Sequence, residues 1–430
     1  MSPNEIVVKL ENASLGRVRR LCDRYGYSAK VLCAVCIQVI FLVSISHAQN
    51  AESTARTEQV PITYFGLHIH DPLKTSWPDV QFGTLRLWDT NTRWRELEPS
   101  PGHFDFSRLD ALVDVAQRHG VQPILGLGLP PTWASQRPGE APKWRPGSAA
   151  PPSDMQQWRE YVRAVVSRYK GRIFAYEVWN EANNPDFFTG DRHVLLELTK
   201  EASAVIRKED AQALIISPNF TGKNTALHWL DDFLQDGGGD YVDVIGYHFY
   251  VFPDPPEAIA PLAKKVHEVM SRHHVNKPIW NTETSWLQKN TVPAGQEAAY
   301  VFRSFLVGWA AGIDRFYWYA WDEHSNISIE FTDKSNQVDA PAVNGWKRAT
   351  EWLLGQWVGK CEMDASGTWA CHVNGSAGDS FVVWNPSNPA RYSVDGQSSW
   401  TVTPLVGKAT TVSGNSIPVS SDPVKITRAR

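Results

Sequence analysis

Phe174-Ala175-Tyr176-Glu177-Val178-Trp179-Asn180-Glu181-Ala182-Asn183 is an apolar and aromatic run that stops abruptly on a polar cluster. A run apolar on either side of a single charged residue, Glu177, suits a strand buried on both faces of a parallel sheet, and parallel strands are joined by crossover helices. The flanks fit that demand, with helix-like periodicity over 154–170 before it and 192–208 after it.

Working outward, the same unit recurs from 61 to about 359. Strand-like runs occupy 62–70, 82–89, 121–128, 174–181, 213–220, 242–250, 278–286 and 315–322. Helical spacing appears over 106–120, 154–170, 192–208, 258–272, 296–311 and 345–357; in the first of these Leu109, Leu112, Val113 and Ala116 recur at three- and four-residue intervals before Gly120. Eight alternations predict an α/β chain folded as a (β/α)8 TIM barrel over 62–359. Beyond it, short alternating runs at 368–373, 380–384, 400–405 and 424–427, divided by Gly, Pro, Ser and Asn, predict a small β-sandwich module over 360–430. Trp384 and Trp400 sit on those strands and are expected to fill the module's core.

The N-terminal residues 1–48 read as a targeting segment. Arg17, Arg19, Arg20, Arg24 and Lys30 precede an apolar stretch over 31–45, followed by Ser46-His47-Ala48. That is the layout of a secretory signal peptide, and a signal anchor if it stays uncleaved, with 49–61 a polar linker. Three of the five cysteines fall inside it, leaving Cys361 and Cys371, with a Ser366-Gly367 turn between them, to form a disulfide across a hairpin. Without residues 1–48 the formal charge moves from −4 to −7, since six basic and three acidic side chains leave with the segment. Neither value suits nucleic acid. A membrane enters only through an uncleaved N-terminus, so the expected location is secreted or periplasmic. The 19 Trp against 4 Met suit stacking on sugar faces and equally a large core.

In a barrel the residues closing the strands converge on one face. Here they are His68 and His70, Arg86 with Trp88 and Asp89, Asn180 and Glu181, Asn219, His248 and Tyr250, Glu283, and Trp321 with Asp322. Two glutamates on separate strands can flank a sugar, and glycosidic cleavage needs one carboxyl to protonate the leaving oxygen and another to meet the oxocarbenium-like carbon. Long connections at 129–153, with seven prolines, and at 323–343 follow strands three and eight, where a barrel builds its site.

Trp179-Asn180-Glu181-Ala182-Asn183 and Leu85-Arg86-Leu87 resemble segments of clan A glycoside hydrolases, most similar to family 39, with Ala182 where that family has proline. The resemblance covers about 62–359. It implies a retaining β-glycosidase in which Glu181 is the acid/base, Glu283 the nucleophile and Asn180 a donor to the substrate 2-hydroxyl. It also implies that Arg86 and Tyr250 hold Glu283 ionised, that His248 lines the pocket and that Trp321 floors the sugar subsite. On this reading the negative charge of Glu283 raises the pKa of Glu181.

Other residues carry two readings each. Glu177 is expected to be a buried partner for a barrel cation. His68, His70 and Asn219 are each weighed as substrate contacts against packing or loop capping. Trp133 is expected to stack sugar in an outer subsite and Trp144 to pin its loop. No Asp/His spacing matches a metal motif, so neither metal nor organic cofactor is expected; the partner is a carbohydrate. The rival readings are a non-catalytic carbohydrate-binding barrel and a transglycosylase using the same covalent intermediate.

Overall fold

In the computed structural model the described residues are 58–141, 145–338, 341–375, 378–396 and 398–429. The targeting segment, most of the linker and Trp144 lie outside them. Eight short strands form one parallel sheet: β1 (Phe65–Leu67), β2 (Thr84–Leu87), β3 (Gln122–Leu127), β4 (Ala175–Val178), β5 (Leu214–Ile216), β6 (Ile245–His248), β7 (Ile279–Thr284) and β8 (Ile313–Trp318). Their order is β5-β4-β3-β2-β1-β8-β7-β6. The two ends meet through Ile216 paired with Val244 and Thr221 paired with His248, so the sheet closes. This is the predicted TIM barrel.

The helices are α1 (Trp94–Leu97), α2 (Ser107–Arg118), α3 (Met155–Arg168), α4 (Arg192–Glu209), α5 (Asn224–Gln235), α6 (Ile259–Arg272), α7 (Glu297–Ala310) and α8 (Pro341–Leu353). Two departures from the expected alternation matter. No helix separates β1 from β2 among the described residues, where turns run instead. The helix α5, absent from the sequence reading, buries Ala226, Leu230, Phe233 and Leu234 on one face. Its central Asp231-Asp232 pair masks the periodicity.

The barrel strands are shorter than their apolar runs, and at β4, β5 and β8 the excess continues as loop at the C-terminal end, where the site lies. Inside the barrel Gly246 leaves room for Glu177, since a Cβ there would stand 3.1 Å from its Oε1. Outside, Trp94, Trp158, Trp286, Trp309 and Trp346 are fully buried. Each such side chain contributes on the order of 2–3 kcal/mol of burial.

The C-terminal module consists of β9 (Trp357–Met363), β10 (Trp369–Gly375), β11 (Gly378–Trp384), β12 (Ala390–Ser393), β13 (Ser399–Pro404), β14 (Thr410–Ser413), β15 (Ser416–Val419) and β16 (Val424–Arg428). Six form an antiparallel sheet ordered β14-β13-β16-β11-β10-β9, and β12 pairs with β15. Trp400, Val383, Val402, Ile417, Val419 and Ile426 form its core, whereas Trp384 joins the main core. Its indole N–H donates to Glu257 Oε1 at 2.6 Å, and Arg303 donates to the same oxygen at 3.1 Å, fixing the module to the barrel. The Cys361–Cys371 disulfide joins directly opposed residues of β9 and β10.

The boundaries differ slightly from the sequence reading. β9 begins at Trp357, inside the stretch assigned to the barrel, and Gln59 and Val60, assigned to the linker, pair with Trp357 and Leu354. Val60 is fully buried, so this segment is held by packing that composition could not reveal.

Candidate active site

The sharp stop of β4 is a backbone event. Trp179 and Glu181 both adopt left-handed φ values, 71° and 44°, which L-residues other than Gly take only when held. The clamps are specific. Trp179 N–H donates to Leu127 O at 2.8 Å, and its indole N–H donates to Phe187 O at 2.8 Å. The Glu181 N–H donates to Asn219 Oδ1 at 2.7 Å, and Ala182 N–H to Asn219 O at 3.1 Å. Asn219 is wholly buried, so of its two readings the structure favours the loop cap over the substrate contact: it fixes the backbone that presents Glu181.

Opposite, Glu283 stands near the end of β7, where the pairing slips so that His248 of β6 faces Glu283. A carboxylate oxygen of Glu181, one of Glu283 and a ring nitrogen of His248 all lie within 4.8 Å of one another. Each carboxylate oxygen already has a donor or a proton-sharing partner. Glu283 Oε2 accepts from Arg86 at 2.8 Å and Oε1 from the Tyr250 hydroxyl at 2.8 Å. Glu181 Oε2 accepts from Asn184 at 2.9 Å, and Oε1 lies 3.0 Å from His248 Nδ1. Such wiring suits proton transfer and nucleophilic attack rather than a cation, whose place beside Glu283 the guanidinium takes.

Arg86 is the hub. Fully buried on β2, it donates from Nε to Glu177 at 2.8 Å, from one terminal nitrogen to Glu283 and from the other to Asn180 Oδ1 at 2.6 Å. The planar fork meets three acceptors at once, which an ammonium could not. Glu177 therefore sits where a buried counter-ion to a barrel cation belongs. Asn180 spends its carbonyl on Arg86.

The electrostatics reverse one expectation. Burial pushes both carboxyls up. At Glu181 the hydrogen bond and field of His248, helped by Asn184 and Thr221, outweigh burial and the net shift is downward. At Glu283 burial, with the negative fields of Glu181 and Asp89, exceeds the pull of His248 and Arg86, and the net shift is upward. The sequence reading had Glu283 low and Glu181 high. It placed His248 only in the pocket, whereas the imidazole bonds directly to Glu181 and is the strongest of the groups that lower it. Tyr250 stays a phenol, its pKa raised by burial and the facing carboxylates.

The rim holds the remaining candidates. His68 is buried and kept neutral chiefly by desolvation, with the Arg86 cation adding to it; its Nε2 lies 2.9 Å from Thr282 O. His70, 25% exposed, pairs with Asp322 at 3.1 Å, and this partner raises the imidazole against burial while Asp322 falls to about 2. Asp322 also accepts from the backbone of His70 and Asp71 and from Thr75, so it is a loop clamp. Trp133 is half-buried, its indole N–H donating to Glu98 O at 3.2 Å.

Trp321 is corrected. It is 1% exposed and stacked on Phe331 in the core, so it cannot floor a sugar. The partly exposed aromatic that the loop after β8 offers is Tyr319, which meets the rings of His68 and His70 and bonds His70 Nε2 at 3.1 Å. Sequence reasoning missed it, although it lies directly after β8 and two residues before the tryptophan chosen instead. Asn184 was also missed, three residues beyond Glu181.

Residues 68–305 match the family described as Glycosyl hydrolases family 39. A β-xylosidase of Caldicellulosiruptor saccharolyticus is 27% identical over 177 residues, covering 39% of this chain and 35% of that protein. A β-xylosidase of Geobacillus stearothermophilus is 23% identical over 269 residues, 55% of this chain and 50% of that one. The chain thus spans half or less of the length of these curated relatives. Among solved structures, a family 39 glycoside hydrolase from the gut symbiont Bacteroides cellulosilyticus WH2 superposes with TM-score 0.70 at 16% identity, covering 87% of this chain and 82% of that one. A GH39 β-xylosidase from Caulobacter crescentus gives 0.63 at 15% identity, over 87% and 97%. At such identities these two establish the fold.

Proposed function

With more than half of its length matched, the chain belongs to glycosyl hydrolase family 39, and from that premise we propose that it is an exported, retaining β-glycoside hydrolase acting on xylose-based β-linked oligo- or polysaccharides. The observation that carries the mechanism is the spacing of the carboxylates. Oxygens of Glu181 and Glu283 lie within 4.8 Å, close to the roughly 5–5.5 Å of double displacement and short of the roughly 6.5–9.5 Å that admits an inverting water.

Glu283, aimed by Arg86 and Tyr250, attacks the anomeric carbon and forms a glycosyl ester while the glycosidic C–O bond breaks. Glu181, sharing a proton with His248, protonates the departing oxygen. It then takes a proton from water, which attacks the ester and frees Glu283. Asn180 donates to the 2-hydroxyl, a contact that strengthens as positive charge grows on the ring. The xylose assignment draws on the two β-xylosidase relatives. Export draws on the N-terminal pattern and on the disulfide, which suits an oxidising compartment.

The test pairs two variants on aryl β-xylosides of differing leaving group. Glu283→Gln abolishes turnover. Glu181→Ala slows cleavage least where the aglycone is a good leaving group, because such a leaving group needs little protonation. Equal losses on activated and unactivated xylosides reject Glu181 as the acid.

A further inference from the structure

On the barrel face where the strand C-termini end, α1 hangs from the end of β3: Trp94 N–H donates to Gly128 O at 3.1 Å and Arg95 N–H to Leu129 O at 3.3 Å. Between this segment and the proline-rich loop after β3 lies a cavity of about 600 Å³, room for a sugar residue or two, lined in part by Arg95, Glu96, Pro131, Thr132, Trp133 and Arg145. It belongs to the same barrel face as the carboxylate pair, because both of its walls follow strand C-termini.

Its chemistry is cationic with an aromatic wall. Arg95 is only 9% exposed, and one of its terminal nitrogens is buried with no partner. Its Nε is spent on Glu96 at 2.6 Å, and the other Glu96 oxygen accepts the Arg93 N–H, so the one acid in the cavity wall is already engaged. Arg145 is exposed and, among the described residues, has no acidic partner. Trp133 is held by its bond to Glu98 O and by an edge contact with Trp94, which fixes the plane of its ring. A fixed indole face suits the apolar face of a pyranose, and a guanidinium fork suits a carboxylate.

We propose that this cavity is an outer subsite for a uronic acid residue of the substrate, with Arg95 and Arg145 taking its carboxylate and Trp133 its ring. This rests on the proposed glycosidase reading for its context, but the binding it describes can be read without turnover.

The experiment measures binding, by titration calorimetry on the Glu283→Gln protein, of three β-1,4-xylo-oligosaccharides of equal length: neutral, bearing one glucuronic acid, and bearing one sulfate. A charge-assisted contact predicts about tenfold tighter binding of the uronate-bearing chain than of the neutral one. That preference falls at least about fivefold in Arg145→Gln, an exposed change, and in Arg95→Gln with its melting temperature checked. Equal binding of neutral and acidic chains, or a preference indifferent to both substitutions, overturns the proposal. A sulfated chain held as tightly as the uronate overturns the carboxylate assignment. Activity of the unaltered enzyme on aryl β-xyloside is measured separately; its absence refutes the proposed reaction and leaves the binding comparison readable.

Discussion

Replacing Arg86 with methionine tests the wiring of the site most severely. The guanidinium is wholly buried and makes bonds to Glu177, Asn180 and Glu283. Methionine fills much of the volume, so packing loss is small and the effect is electrostatic. Two buried acids lose their cation, and Glu177 already has one oxygen without a partner. Stranding a charge from a buried pair costs about 3–5 kcal/mol. For a chain this long that lowers Tm by roughly 3–6 °C.

The pH dependence separates this account from simple cavity formation. Loss of Arg86 removes one of the groups that pull the Glu283 carboxyl down, so its already raised folded pKa rises further. A carboxyl raised on folding lends stability below its unfolded value of about 4.3 and loses it as pH climbs through the folded value. The deficit relative to the parent protein should therefore be small near pH 4 and widen towards pH 8. Calorimetric scans across that range measure it. Adding Glu177→Gln should recover part of the loss by neutralising one stranded acid, and kcat/KM of the single variant should fall on the order of 10²-fold as Glu283 loses its orientation. A deficit independent of pH, or one under about 1 kcal/mol at pH 7, would refute the reasoning.

Two further outcomes follow from the same contacts. His248→Phe removes the strongest of the groups that pull Glu181 down and one of those that pull Glu283 down, so both limbs of the kcat/KM profile should move to higher pH. A profile with neither limb moved would show that the imidazole does not tune the carboxylate pair. Reduction of the Cys361–Cys371 disulfide, which closes a loop of sequence separation 10, should destabilise by about 2–3 kcal/mol on chain entropy. A Cys361→Ala/Cys371→Ala protein with an unchanged Tm would remove that role.

Barrel and site were legible in the sequence to different depths. Glu181, Glu283 and Arg86 could be placed because each closes or lies within a strand-like run, and in a parallel barrel all such ends reach one face. Residues beyond the strand ends were less secure. Trp321 looked like a sugar platform, yet the loop after β8 turns it against Phe331 and leaves Tyr319 beside His68 and His70. Asn219 looked like a hydroxyl contact, yet it holds Glu181 N–H. The helix α5 was hidden by its acidic centre, the short strands β12 and β14 by their polar composition, and β15 by its brevity and its proline.

The sequence by itself determined the fold class, the two carboxylates and the cation beside them, because strand and helix periods are local and each records which residues a core must hide. Only the tertiary structure decided which carboxyl sits higher, which aromatic meets the cleft and which asparagine carries the strained turn. Those depend on partners far along the chain: His248 is 67 residues from Glu181 and Asn219 is 38. A hydrogen bond or a field from such a partner leaves no periodic trace in the sequence that makes it.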